Sequence, residues 1–209
     1  MQLRPRQKTF TDSCTAALDE HGNTLGVAPT GAGKTVMLSA IVGGYVAKGA
    51  AGLVVQHRDE LVAQNRRTFE KFNPRATTGL FTADRKEWGY GCTFGMINTL
   101  VGEANLERMP PIDIMAIDEG HHAAANSYLR LIDTATKRNP NMKLLLVTAT
   151  PNRGDKKSLR GVVSNVADQI SLKELIEGGF LVRPRTLVVD IGVGDELKDV
   201  RKTMSDFDM

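Results

Sequence analysis

The chain is predicted to be a mainly parallel α/β sheet with helices on both faces, and three observations carry that prediction. Apolar runs of strand length recur at residues 24–28, 52–56, 77–81, 92–97, 112–117 and 144–148. Stretches of helical character lie between several of them, at 34–48, 58–72 and 123–136, with another at 172–178. Runs such as IMAI and LLLV show no polar alternation, which is the pattern of strands buried on both faces. Strand alternating with helix makes the parallel sheet the economical architecture.

Each element has a local reason. The run at 24–28 feeds a Gly-rich turn, and that turn opens the helix at 34–48. The helix at 172–178 closes at Gly178-Gly179, where glycines end helices readily. Beyond Phe180 the text LVRPRTLVVDIGVG reads as a Pro-interrupted extended segment, and the stretch from there to Met209 has few large apolar residues to bury. The division expected is one domain over 1–185, then a linker or the opening of a second unit over 186–209.

The 209 residues, 41% hydrophobic and 24% charged, are those of an ordinary globular domain with one core, which excludes collagen, mucin stalks and wholly disordered chains. No apolar run reaches the roughly 18 residues of a membrane span, and MQLRPRQKTF has no apolar segment after its basic residues. A cytoplasmic protein without a membrane partner is the expectation. Cys14 and Cys92 are far apart and form neither a disulfide framework nor a CxxC metal knuckle. Net charge is +3, divided as +4 over 1–75, −4 over 76–135, +6 over 136–189 and −3 over 190–209. An acidic middle flanked by basic blocks suits a metal nucleotide held beside a polyanion, and equally an unevenly charged solvated surface.

The strongest local signal is APTGAGKT, from Ala28 to Thr35, between a predicted strand and a predicted helix. A phosphate-binding loop requires that placement. Gly31 and Gly33 let the loop Pro29-Thr30-Gly31-Ala32-Gly33 crowd its backbone N–H groups, which all but the proline carry, around phosphate, and the following helix N-terminus adds positive potential. In that role Lys34 reaches the β and γ phosphates of ATP and Thr35 ligates Mg²⁺. The general pattern has Gly where this chain has Ala28.

The strand at 112–117 ends in Asp118-Glu119, which sets two carboxylates at the carboxyl edge of the sheet, where open α/β sheets bind ligands. In a nucleotide site Asp118 holds Mg²⁺, and Glu119 orients and deprotonates the attacking water. His121 and His122 follow without HExxH spacing or a nearby Cys, so a polar link from one histidine to the γ-phosphate side is preferred to zinc. At Thr148-Ala149-Thr150-Pro151 another buried strand ends in two hydroxyls, either a plain turn or a sensor of γ-phosphate.

Taken in order, LRPRQ (3–7), APTGAGKT (28–35), VVQHRDELVAQ (54–64), MINTL (96–100), DEGHH (118–122) and TATPNRGD (148–155) resemble motifs of the superfamily 2 helicases and translocases. The branch is the one shared with the type III restriction subunit family, and LKELIEGGFLVRPR (172–185) is similar to the usual end of its first domain. The resemblance covers about residues 1–190 and implies a RecA-like P-loop NTPase lobe of the DEAD/DEAH-like group. It further implies that Gln7 reads the adenine edge with Arg4 packed near the base. His121 would couple Asp118-Glu119 to Thr148 and Thr150, while Arg58, Gln64, Asn98 and Thr99 would line a nucleic-acid path, DNA before RNA. Such contacts go mainly to phosphate and sugar, so binding should be salt-sensitive and indifferent to sequence.

Family members pair two lobes, and no segment after Arg185 resembles the second, which carries an arginine that completes the ATP site. The resemblance therefore implies an ATP-binding lobe of a DNA helicase or translocase, truncated or split, that hydrolyses slowly by itself and needs a second RecA-like lobe in the same or another chain. Two further readings stay open at this point. One is a self-sufficient phosphate-loop ATPase or kinase, with Arg153 as its arginine. The other is a nucleotide-gated module that docks on nucleic acid or a partner protein without turnover.

Overall fold

The computed structural model describes residues 2–150 and 159–183. Chain order is α1 (Pro5–His21), β1 (Asn23–Val27), α2 (Lys34–Val46), β2 (Gly52–Gln56), α3 (Asp59–Phe72), β3 (Thr78–Phe81) and β4 (Cys92–Met96). Then come α4 (Ile97–Leu100), α5 (Glu103–Glu107), β5 (Ile114–Asp118), α6 (Asn126–Arg138), β6 (Lys143–Thr148), β7 (Val166–Gln169) and α7 (Leu172–Glu177). The strands form one sheet in the order β3-β4-β2-β5-β6-β1-β7, and every pairing in it is parallel. The expected α/β architecture is the one observed.

The sheet separates two apolar layers. Leu53, Val55, Met115 and Ile117 face one way, toward Tyr128, Leu131 and Ala135 of α6. Val54, Ile114, Ala116 and Val147 face the other way, toward Phe10 of α1, Met37 and Leu38 of α2, and Val62 and Phe69 of α3. Alternation of side chains along each strand assigns successive residues to opposite layers. Both faces are covered, which explains the uninterrupted apolar runs.

Several elements depart from the sequence pattern. The helix at 5–21 was not among those expected. Its apolar stripe is only Phe10, Cys14 and Leu18, one residue per turn among threonines and charges. Pro5 opens it, where a missing N–H costs nothing, and Gly22 closes it at φ 73°. β7, with the text VADQ, has no apolar run. Parallel pairing to β1 and a bidentate contact from Arg6 to Asp168 hold it at the sheet edge. The expected helix at 123–136 starts three residues late, because the 3-10 turn at Gly120–His122 runs on through i→i+3 bonds from Ala123 and Ala125 N–H to the Gly120 and His122 carbonyls, and Ala125 is extended.

No helix among the described residues is long and apolar enough to cross a membrane. Pro151, Arg153, Arg185 and the expected linker at 186–209 lie outside the described residues.

Candidate nucleotide site

β1 delivers the chain to Ala28, whose N–H donates to the Thr148 carbonyl at 2.9 Å, so the phosphate loop begins beside the end of β6. From there the backbone turns through Gly31 at φ 87° and Gly33 at φ 88°, both in the left-handed region that a Cβ disfavours. Gly33 is the N-cap of α2 and brings no side chain to satisfy the first-turn N–H groups, nor does that turn hold an acidic residue. The start of α2 is therefore an uncapped, positively polarised end suited to an anion. Lys34 and Thr35 lie in that first turn, both partly exposed.

Gln7 is buried at 8% exposure and ties α1 to this loop: its Oε1 accepts the Arg4 N–H at 3.0 Å, and its Nε2 donates to the Ala32 carbonyl at 2.9 Å. Both ends of the amide are already engaged within the chain, so contact with a base would use its second hydrogen and second lone pair. The Arg4 guanidinium lies over the ring of Phe180, 4.7 Å from its centroid.

Two strands away in the sheet, β5 ends in Asp118, which is 6% exposed. Its Oδ1 accepts the Glu119 N–H at 3.0 Å, while Oδ2 accepts from Asn65 Nδ2 at 3.0 Å and Gln56 Nε2 at 3.3 Å. Burial pushes the Asp118 carboxyl above its ordinary range and the Glu119 charge adds to that, against the pull of the N–H donors and Lys34.

Glu119 is the one non-glycine among the described residues at positive φ, 54°. Backbone held in this region is costly and collects at functional sites. The turn that follows leaves no room at Gly120, where a Cβ would stand 2.8 Å from Leu146 Cβ. Together these swing Glu119 toward the loop: its Oε1 is 4.0 Å from Lys34 Nζ, and its Oε2 is 3.4 Å from His121 Nδ1. His121 Nδ1 also lies 3.1 Å from Thr148 Oγ1. The Thr148 hydroxyl donates to the Thr150 carbonyl at 3.0 Å and accepts the Thr150 N–H at 3.3 Å. Thr148 Oγ1 is thus shared between the His121 ring and the Thr150 backbone, which joins the residues after β5 to the end of β6.

Lys34, Asp118, Glu119, His121, Thr148 and Thr150 thus converge at one rim of the sheet. Thr35 and Asp118 contribute one hydroxyl and one carboxylate, hard oxygen donors of the type and small number that Mg²⁺ takes when phosphates and water complete its shell. The residues present fit that ion.

Arg58 is the exposed N-cap of α3 and lines a groove of about 360 Å³ with His57, Leu61, Glu119, His121 and His122. Gln64 is exposed on α3, and Asn98 and Thr99 form the single turn that follows β4, the second strand from β5. Arg58 thus shares a groove with Glu119, Asn98 and Thr99 follow a strand end at the same carboxyl edge of the parallel sheet, and Gln64 is the neighbour of Asn65 on α3.

Sequence reasoning missed Gln56 and Asn65, the buried partners of Asp118. A signal for Asn65 was present, because it stands between Val62 and Phe69 on the inward stripe of α3, where an apolar residue is the norm. Phe180 and Leu181 were also missed: besides the Arg4 contact, Leu181 packs so close that a Cβ on Gly31 would lie 2.8 Å from its Cδ2.

A family model described as "Type III restriction enzyme, res subunit" matches residues 1–153. Among curated proteins, "Putative ATP-dependent helicase IRC3" of Saccharomyces cerevisiae is 26% identical over 99% of this chain and 32% of its own length. The chain therefore spans about a third of that relative. Among solved structures, the Type ISP restriction-modification enzyme LlaGI, a nuclease-deletion mutant in complex with a DNA substrate mimic, superposes at TM-score 0.66 and 16% identity over 86% of this chain and 21% of that one. The Hef helicase domain of Pyrococcus furiosus superposes at TM-score 0.62 and 23% identity, over 73% of this chain and 34% of that one. Likeness at these identities establishes the shared fold.

Proposed function

The chain belongs to the type III restriction enzyme res subunit family, and from that premise we propose that it is the ATP-binding lobe of an ATP-dependent helicase or translocase acting on nucleic acid, DNA before RNA. The observation that carries the reading is the convergence of an uncapped helix start, Lys34, a buried aspartate and a left-handed glutamate at one sheet rim. The DNA substrate mimic in the LlaGI complex supports DNA over RNA.

In this reading the loop Pro29-Thr30-Gly31-Ala32-Gly33 surrounds the phosphates with backbone N–H groups, and Lys34 neutralises the β and γ oxygens. Thr35 and Asp118 hold Mg²⁺, which supplies charge stabilisation at the phosphoryl oxygens. Glu119 orients a water in line with the γ-phosphorus and accepts its proton. His121 senses the γ-phosphate end and passes its occupancy to Thr148 and Thr150 through the shared hydroxyl. Gln7 and Arg4 hold the base. Arg58, Gln64, Asn98 and Thr99 touch phosphate and sugar, which makes binding salt-sensitive and independent of sequence.

We infer a lobe spanning 1–185 that works against a second RecA-like lobe. An arginine supplied across such a cleft is worth about 10³–10⁵ in rate in related phosphoryl-transfer sites, so the chain alone should bind ATP and Mg²⁺ yet turn over slowly. The test is ATPase activity with and without nucleic acid, with and without the second lobe of a relative, for the unaltered chain and Lys34→Ala. Stimulation that requires both additions and disappears in Lys34→Ala supports the proposal; activity indifferent to Lys34 removes it.

A further inference from the structure

Asp118 is the most buried carboxylate of the site, and its two oxygens are treated differently. Oδ2 accepts from two side-chain amides, Asn65 at 3.0 Å and Gln56 at 3.3 Å, whereas Oδ1 accepts, among the described residues, only the Glu119 N–H. Asn65 is 1% exposed and Gln56 is fully buried, on the sheet face otherwise filled by Val54, Val62, Phe69 and Phe94. Two carboxamides in such a layer carry a desolvation cost that apolar side chains would avoid. Gln56 Oε1 has no hydrogen-bond partner among the described residues. Its amide is therefore oriented by the carboxylate: turned over, the unpaired carbonyl oxygen would face Asp118 Oδ2 and the donor would be lost.

We propose that Asn65, assisted by Gln56, is a positioning residue that caps Asp118 Oδ2 and thereby holds Oδ1 for the divalent cation. This inference rests on the nucleotide-site reading above. Outer partners that lock a ligating carboxylate set the affinity of a metal without touching it. Asn65 rides on α3 next to Gln64, so the same amide ties the metal carboxylate to a helix of the candidate nucleic-acid face.

The experiment is a Mg²⁺ titration of fluorescent ATP-analogue binding, repeated in EDTA, for the unaltered chain, Asn65→Leu and Gln56→Met, with thermal melts as a check on folding. Asn65→Leu keeps the branched outline and Gln56→Met the approximate length of the side chain, and both remove the N–H donors. Asn65→Leu should raise the half-saturating Mg²⁺ concentration by about 10-fold or more, and Gln56→Met by less, since its bond is longer. Nucleotide affinity in EDTA should stay that of the unaltered chain. Unchanged Mg²⁺ dependence, or an equal loss with and without the cation, overturns the inference and leaves the amides a packing role. Should Asn65→Leu fail to fold, Gln56→Met decides by the same criterion. Failure of the site reading itself shows differently: the unaltered chain would bind no nucleotide, and both proposals would fall together.

Discussion

Lys34 Nζ stands 4.0 Å from Glu119 Oε1, so the first residue of α2 and the residue that follows β5 meet across the sheet rim. That separation is beyond hydrogen-bond range, and the charges attract without locking together. The amine is free to turn to a phosphate oxygen, and the carboxylate to a water, without first breaking a tight ion pair.

Lys34→Ala and Glu119→Gln should therefore separate binding from chemistry. Losing the lysine removes the charge that meets the phosphates, so nucleotide affinity falls. Glu119→Gln keeps the side-chain volume and loses the base, so nucleotide still binds while hydrolysis drops by about 10²–10⁴. Equilibrium binding of a fluorescent nucleotide and single-turnover hydrolysis on the same preparations check both. A glutamine variant that hydrolyses at the unaltered rate would remove Glu119 from the chemistry.

Gly33→Ala tests the loop backbone. A Cβ there would stand 2.5 Å from Gln7 Nε2, in a residue held at φ 88°. A left-handed L-residue costs roughly 1–2 kcal/mol, and Gln7 would have to release the Ala32 carbonyl. Urea unfolding should show a loss of about that size, together with weaker nucleotide binding. A variant as stable as the parent would mean that the loop relaxes into another conformation.

Thr148→Val addresses the link between acid pair and β6. Thr148 is fully buried, and its hydroxyl meets both His121 Nδ1 and the Thr150 backbone. Valine keeps the shape and leaves these groups unmatched, at a cost of about 1–3 kcal/mol. With the second RecA-like lobe of a relative supplied, as in the test proposed above, the expected signature is ATPase that persists but no longer responds to nucleic acid. Stimulation of normal size in this variant would break the relay from His121.

How much of this was legible beforehand depended on the physical signal each element leaves. β2 was read to its observed limits because GLVVQ is buried along its length, and β5 and β6 within two residues for the same reason. The loop from Ala28 to Thr35 was visible because its chemistry needs glycine at fixed spacing. α1 and β7 were not, since one buries a narrow stripe and the other is an edge strand held by pairing and by Arg6. Asn65 and Gln56 escaped because their partner is distant in sequence: the pairing of β2 with β5 brings Gln56 to Asp118, and the packing of α3 on the sheet brings Asn65. Sequence order revealed the motifs, and topology the contacts between them.

The packing of α1 onto α2 and β6 has a titratable element at Asp19. Its carboxylate accepts the Tyr45 hydroxyl at 2.8 Å and pairs with Lys143 Nζ at 3.1 Å, while Lys143 also donates to the Leu18 carbonyl. The Tyr45 hydroxyl, then Lys143, hold the Asp19 carboxyl below the usual carboxylate range. A carboxyl depressed in the folded state contributes stability that is fully present above its unfolded value and is lost as pH falls through the folded one. Asp19→Asn should thus be less stable than the parent at neutral pH. The side chain is half-exposed, so solvent screening limits the difference to about 0.2–1 kcal/mol. Urea unfolding of both proteins should show that gap closing as the pH is lowered through and below the carboxylate range. A gap that widens toward acid would reverse the sign and dissociate Asp19 from the Tyr45–Lys143 contact.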